Sequence, residues 1–177
     1  TGTTIFKKSS GTLAHAGTFS FFPTKNLPAL GDGGGVWVPS KKLKLKVESL
    51  RQYGWDSKRI VTVPNGMNSR LDELQAAILQ IRLKDLKRDI LSRRNIANLY
   101  DSNLSDYFGR FTYADFQVCS FHLYVVKVKH RTKLMNYMKQ HDIFLGIHYT
   151  PSNHKNGLLS KFSAKLPVTE KIVKEVV

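Results

Sequence analysis

One stretch near the middle of the chain constrains the fold more than any other. From about Ser69 the apolar residues recur at helical spacing: Leu71, Leu74, Ile78 and Ile81, then Leu79, Leu83, Leu86 and Ile90. Residues three or four apart share one face of a helix, so this pattern predicts a long amphipathic helix. Ser69 and Asp72 have the spacing of a capping box just before the apolar run, which puts the helix start at Ser69. The helix is expected to continue, with a bend, to Leu99 or Leu104. A helix of that length can link two domains. The expected division is 1–68, a linking helix over 69–104, and a smaller unit over 105–177.

Upstream lies the stretch that carries chemistry. Phe19, Phe21 and Phe22 form an apolar strand that ends in a turn with a lysine, Lys25. Ser20 stands five residues before it, and the cluster Gly31-Asp32-Gly33-Gly34-Gly35 begins six residues after it. A lysine held against apolar packing can be desolvated, which lowers its pKa and makes its amine nucleophilic. A neighbouring hydroxyl and backbone N–H groups freed by glycine can hold a phosphate. An amine beside a phosphate cradle is what pyridoxal phosphate needs: a covalent link for its aldehyde and an anchor for its phosphate. The bland alternative is a solvated turn lysine. For Ser20 it is a strand-end hydroxyl bonding its own backbone. Gly31, Gly33 and Gly34 are read as permitting positive φ and close backbone approach, not as ligands.

The remaining pattern is α/β. Thr3–Phe6, Thr18–Phe22 and Gly35–Val38 read as short strands. Ser40 can cap a helix that runs to about Tyr53, ended by Gly54, with Leu43, Val47 and Leu50 on one face. Residues 56–65 read as a polar, extended connection. After the long helix, Phe121, Leu123, Val125 and Val126 suggest a strand, Thr132 the cap of a helix, and Phe144–Tyr149 a second strand. Residues 152–164 read as a polar loop, and Pro167 precedes a terminal helix.

Charge raises a competing function. The chain has 28 Lys+Arg against 13 Asp+Glu among 177 residues, a net charge of +15. A basic α/β module that binds nucleic acid or another polyanion without catalysis is therefore the alternative reading. Against it, the basic residues are spread over 41–46, 82–94 and 127–133, interleaved with apolar positions as on amphipathic elements. An apolar content of 41% suffices for a core. No apolar run reaches the roughly eighteen residues of a membrane span. The first residues, Thr1-Gly2-Thr3-Thr4, lack the basic and apolar regions of a signal peptide. The single cysteine, Cys119, cannot form an internal disulfide, which fits a reducing compartment. His122, His148 and His154 invite a metal reading, but their spacing matches no structural zinc site, so no metal is expected.

Two segments resemble one known family. Ser20-Phe21-Phe22-Pro23-Thr24-Lys25-Asn26, with the glycine cluster after it, is similar to the lysine segment of the DegT/DnrJ/EryC1/StrS sugar aminotransferases. Gly66-Met67-Asn68-Ser69-Arg70-Leu71-Asp72-Glu73-Leu74-Gln75-Ala76-Ala77 resembles the same family's G-x-N-x-R-x-x-x-x-Q-A-A segment. The resemblance runs from about Gly11 to the C-terminus and weakens after Leu104. Pro28 departs from it, since the family usually has glycine there.

The resemblance implies a fold type I, aspartate-aminotransferase-like α/β architecture. The chain would hold the second part of a large domain with a mostly parallel sheet, the linking helix, and a smaller C-terminal α/β domain. It implies pyridoxal phosphate as cofactor, with Lys25 as the lysine that binds it and shuttles a proton, and Ser20 as a phosphate contact. Asn68 would reach the cofactor phosphate of a partner subunit, making a homodimer with shared active sites. A bland role for Asn68 is an N-cap of the long helix. Arg70, Gln75, Ala76 and Ala77 are read as packing and helix positions. Ile147-His148-Tyr149-Thr150-Pro151, with His154, looks like the family's stretch at the substrate mouth, so the resemblance makes His148, Tyr149 and His154 substrate contacts. The implied reaction moves an amino group from an amino acid, L-glutamate by analogy, onto a nucleotide-linked keto-deoxysugar, most similar to members that aminate C3 of a dTDP- or UDP-linked 3-keto sugar. The setting would be cytoplasmic, without a membrane. Family members are longer, and their pyridinium partner, ring-stacking aromatic and first phosphate turn lie upstream of the lysine. The expectation is therefore an internal or C-terminal fragment, inactive alone. Dehydratases of the family carry histidine in place of the lysine, and Lys25 argues against that activity.

Overall fold

A computed structural model describes residues 1–162 and 164–177. The chain forms two compact units. The first comprises Thr1–Ile96 and Tyr113–His122, the second Ala97–Thr112 and Leu123–Val177.

The first unit begins with two short strands, β1 (Thr4–Ile5) and β2 (Lys8–Ser9), and continues with β3 (Gly17–Ser20) and β4 (Gly34–Trp37). β3 and β4 pair antiparallel in the register Gly17–Trp37, Thr18–Val36, Phe19–Gly35 and Ser20–Gly34. β1 pairs antiparallel with β2 and with β5 (Gln117–Val118). Every pairing between named strands among the described residues is antiparallel, so the mostly parallel sheet expected for a whole large domain is not contained in them. The glycine cluster also differs from expectation. Among the described glycines only Gly2, Gly54 and Gly157 have positive φ. Gly34 serves close approach instead: a Cβ there would lie 3.2 Å from the Phe19 carbonyl oxygen of the paired strand.

Helix α1 (Lys41–Leu50) starts as expected, with the Ser40 hydroxyl accepting the Leu43 amide at 3.2 Å. It ends three residues before Tyr53, because the chain there turns through two positive φ values, 61° at Tyr53 and 76° at Gly54. Glycine is required at 54: a Cβ would collide with the Val63 carbonyl.

The long helix α2 runs Glu73–Asn103, 31 residues without Gly or Pro. Its start is four residues later than the capping-box reading. The Ser69 amide is spent on the Arg51 carbonyl at 2.9 Å and Asn68 bridges to Gln52, which holds residues 68–69 extended. The first helical bond instead runs from the Ala76 amide to the Asp72 carbonyl at 2.9 Å. Leu79 of α2 packs with Leu27 and Ala29 into the buried core, with Phe21, Leu71 and Leu86 against it.

The second unit contains the end of α2, helix α3 (Arg131–Gln140) and helix α4 (Pro167–Glu175), with short 3-10 turns at Asn153–Lys155 and Gly157–Phe162. Residues 121–126 do not form the expected strand. Phe121 takes φ 43°, and the segment after it spends its amides on isolated pairings: Val126 to Val177, Lys127 to Gly109 and Val128 to Glu175. His130, not Thr132, is the N-cap residue of α3, without a side-chain bond. Residues 144–149 are likewise irregular. Residues 152–164, read as a loop, carry the two 3-10 turns, and Ser163 lies outside the described residues. Pro167 opens α4 as its first residue, where its missing N–H has no helical partner to lose.

Candidate functional site

Lys25 sits on the connection between β3 and β4, and the sequence around it explains why that connection is fixed. The Phe21 amide donates to the Gly33 carbonyl at 2.8 Å, and the Phe21 carbonyl accepts the Ala29 amide at 2.7 Å. The loop is thus closed across its neck. Within it, the Lys25 amide turns back to the Phe22 carbonyl at 2.8 Å. Immediately after Lys25 the chain dives inward: Asn26, Leu27 and Ala29 are all buried. Burying a Leu side chain stabilises by about 1.5–3 kcal/mol, so the turn is tethered on the side next to the lysine. The Asn26 Nδ2 donates to the Ser120 carbonyl at 2.9 Å. From α2, the Gln75 Oε1 accepts the Leu30 amide at 2.8 Å.

The lysine is half-buried and not a free surface side chain. Its Nζ lies 3.1 Å from His122 Nε2. The His122 backbone is itself held, since Arg93 Nη1 donates to the carbonyls of Phe121 and His122 at 3.4 and 3.3 Å. Ser120, two residues earlier, is bound by Thr3 through both its hydroxyl, at 2.9 Å, and its amide, at 3.2 Å. Sequence reading missed this role for His122, which drew attention only as a metal candidate, and it took Gln75 for a packing residue. No spacing rule could have linked Lys25 to a histidine 97 positions away.

Ser20 ends β3, exposed, and its Oγ accepts the Phe22 amide at 3.4 Å, which leaves its O–H able to donate outward. Asn68 is exposed after α1, with its Oδ1 accepting from Arg70 Nε at 2.8 Å. The Arg70 guanidinium stands 6.0 Å from the Tyr53 ring centroid.

The other candidates belong to the second unit. His148 and Tyr149 are exposed and their rings meet edge to face at 4.9 Å. His148 also lines an apolar cavity of about 460 Å³ with Leu123, Val126, Met138 and Phe144, all within that unit. His154 is drawn into a different contact: its Nε2 is 3.3 Å from Glu170 Oε1, while Lys155 Nζ is 2.7 Å from Glu170 Oε2. The Lys155 ammonium first, and His154 second, hold the Glu170 carboxyl down at about 2.

Among the described residues no group of three or more His, Cys, Asp or Glu is placed to hold a metal ion. No helix is long and apolar enough to cross a membrane. The basic residues of α2 are partly engaged by their neighbours, as Arg88 is by Asp85 at 2.8 Å and Asp89 at 3.5 Å.

The chain is 40% identical over 172 residues to a dTDP-3-amino-3,6-dideoxy-alpha-D-galactopyranose transaminase of Aneurinibacillus thermoaerophilus, covering 96% of the chain and 47% of that protein. It is 35% identical over 176 residues to a dTDP-3-amino-3,4,6-trideoxy-alpha-D-glucose transaminase of Micromonospora megalomicea subsp. nigra, covering 94% and 47%. The chain thus spans about half the length of the curated relatives it matches. The crystal structure of S. venezuelae DesV in complex with a ketimine intermediate superposes with a TM-score of 0.93 at 30% identity, over 99% of this chain and 48% of that one. A DegT DnrJ EryC1 StrS aminotransferase from Brucella abortus superposes with a TM-score of 0.94 at 27% identity, again over 99% and 48%. The fold is therefore about half of a fold type I aminotransferase. The model of the DegT/DnrJ/EryC1/StrS aminotransferase family matches residues 1–177, and the chain belongs to that family.

Proposed function

We propose that the protein is a pyridoxal-phosphate-dependent aminotransferase that moves an amino group from an amino acid, L-glutamate, to the keto carbon of a nucleotide-linked deoxysugar. The observation that carries this reading is the tethered lysine: a primary amine on a closed turn, with buried residues directly after it and a histidine nitrogen 3.1 Å from it. The donor set fits the cofactor. Lys25 offers the amine an aldehyde requires, and Ser20 an exposed hydroxyl for a phosphate oxygen. When bound, pyridoxal phosphate supplies an electron sink for the carbon that gives up its proton.

The chain's own residues do the rest. Lys25 would hold the cofactor through its Nζ, and the same amine, when free, would be the base that carries the proton. The backbone bonds at Phe21 and the bond from the Leu30 amide to Gln75 hold the loop backbone that carries that amine. Exposed Asn68 is assigned to the phosphate in a partner subunit, which makes the working form a homodimer with shared sites. His148 and Tyr149 present exposed rings for the nucleotide sugar, and His154, its ring held by Glu170, is assigned to the same substrate. The names of the two curated relatives support a 3-amino sugar product, hence a 3-keto sugar substrate. The reaction is assigned to the cytoplasm.

The test is amine transfer by the full-length protein, with L-glutamate and a dTDP- or UDP-linked 3-keto sugar as substrates. Release of 2-oxoglutarate together with an amino sugar, both lost in Lys25→Ala, is the expected result. Binding of nucleic acid with steep salt dependence and no transfer would favour the polyanion module instead.

A further inference from the structure

We infer that His122 is a positioning residue for Lys25: its Nε2 accepts a hydrogen bond from Lys25 Nζ and aims the amine at the cofactor aldehyde. The inference rests on the assignment of Lys25 as the cofactor lysine.

The geometry is specific. A lysine amine has four carbon atoms of free rotation behind it, and one directional partner restricts it. Here that partner is an imidazole nitrogen at 3.1 Å, in a part-buried setting. The backbone carrying the imidazole is fixed from three sides. Arg93 Nη1 reaches two consecutive carbonyls, of Phe121 and His122. Thr3 holds Ser120 from β1. Asn26, the residue after the lysine, donates to the Ser120 carbonyl, so lysine turn and histidine segment are joined twice, by adjacent residues. Phe121 between them takes φ 43°, a conformation that L residues avoid and that persists where surrounding contacts impose it.

The direction of the bond matters chemically. An imidazole nitrogen that accepts from Nζ–H leaves the lone pair of the neutral amine free to attack. An imidazole that donates would occupy that lone pair. The useful tautomer therefore carries its proton on Nδ1. In the capture step the Nζ lone pair forms a bond to the aldehyde carbon, the carbonyl oxygen leaves as water, and two N–H protons are given up to it. His122 is recovered unchanged.

The experiment uses the full-length protein stripped of cofactor, as wild type, His122→Leu, His122→Gln and His122→Asn. A glutamine side chain places its amide group where Nε2 stands, and an asparagine where Nδ1 stands. Pyridoxal phosphate is added, samples are quenched with borohydride over time, and label on the Lys25 peptide is followed by mass spectrometry. Donor kinetics are measured in parallel. His122→Leu should slow capture and lower kcat by about tenfold or more, with KM for the amino donor within about twofold. His122→Gln should recover most of the loss. His122→Asn should behave like His122→Leu, and stands in for it if the leucine variant fails to fold. Capture at the wild-type rate in His122→Leu or His122→Asn would overturn the inference, as would equal impairment of the Gln and Asn variants. A wild-type protein that carries no label on Lys25 would instead remove the assignment of Lys25 itself.

Discussion

Gln75, in the first turn of α2, accepts the Leu30 amide through its side-chain oxygen at 2.8 Å, and so ties the lysine turn to the long helix. The bond is exposed, so its direct contribution is modest. Gln75→Leu should lower stability by about 0.5–1.5 kcal/mol, the range for one ordinary hydrogen bond. The sharper readout is local. Hydrogen exchange at the Leu30 amide should accelerate far more than exchange in α2. Unchanged protection at Leu30 would mean that the neck of the loop alone holds the turn.

Leu79 is the helix residue of the buried cluster that packs beneath the turn with Leu27 and Ala29. Leu79→Ala leaves a cavity there, and a loss of about 2–5 kcal/mol is expected for the full-length protein in denaturant titration. A loss below about 1 kcal/mol would show that the site collapses freely, against the tight packing described.

Much of this was legible in the sequence, and the failures share one cause. The helical stripe from Leu71 to Ile90 reported α2 because its information is local: one side chain every three or four positions. The Ser40 cap and Pro167 are local in the same way. The lysine turn was found because strand, lysine and glycines lie within sixteen residues of each other. What escaped depended on partners far away. Ser69 has a good capping composition, yet its amide was claimed by Arg51. Residues 121–126 alternate like a strand, yet the Val126 amide pairs with the distant Val177, and Phe121 breaks the run with a positive φ. His122 reaches Lys25 only through the packing of Ser120 against Thr3 and Asn26.

The pair of contacts on Glu170 makes the second unit sensitive to acid. In the folded chain its carboxyl is held at about 2, below its ordinary 4.5, mainly by Lys155 and then by His154. A depressed carboxyl contributes stability that is fully present above the unfolded value, and that is lost as pH falls through the folded one. Melting temperature should therefore decline between about pH 4.5 and pH 2. Glu170→Gln should flatten that part of the profile, and added salt should weaken it, because the Lys155 ammonium is half-exposed. An identical acid limb in Glu170→Gln would assign the decline to other carboxylates.

Shared active sites can be tested by mixing inactive chains. Full-length Lys25→Ala and Asn68→Ala proteins, each inactive alone, should recover part of the wild-type rate once subunits have exchanged, because one site of each mixed dimer then has both groups intact. Exchange demonstrated by mass tags without any recovery would place Asn68 in the same site as the Lys25 of its own chain, or in none.

The proposed function stands on Lys25 as the residue that binds pyridoxal phosphate. Borohydride reduction of the full-length protein loaded with pyridoxal phosphate, followed by peptide mass spectrometry, addresses it directly. One pyridoxyl mass increment per chain is expected, on the peptide containing Lys25, together with loss of the visible absorbance. Label on any other lysine with Lys25 unmodified, or normal amine transfer by Lys25→Ala, would contradict it.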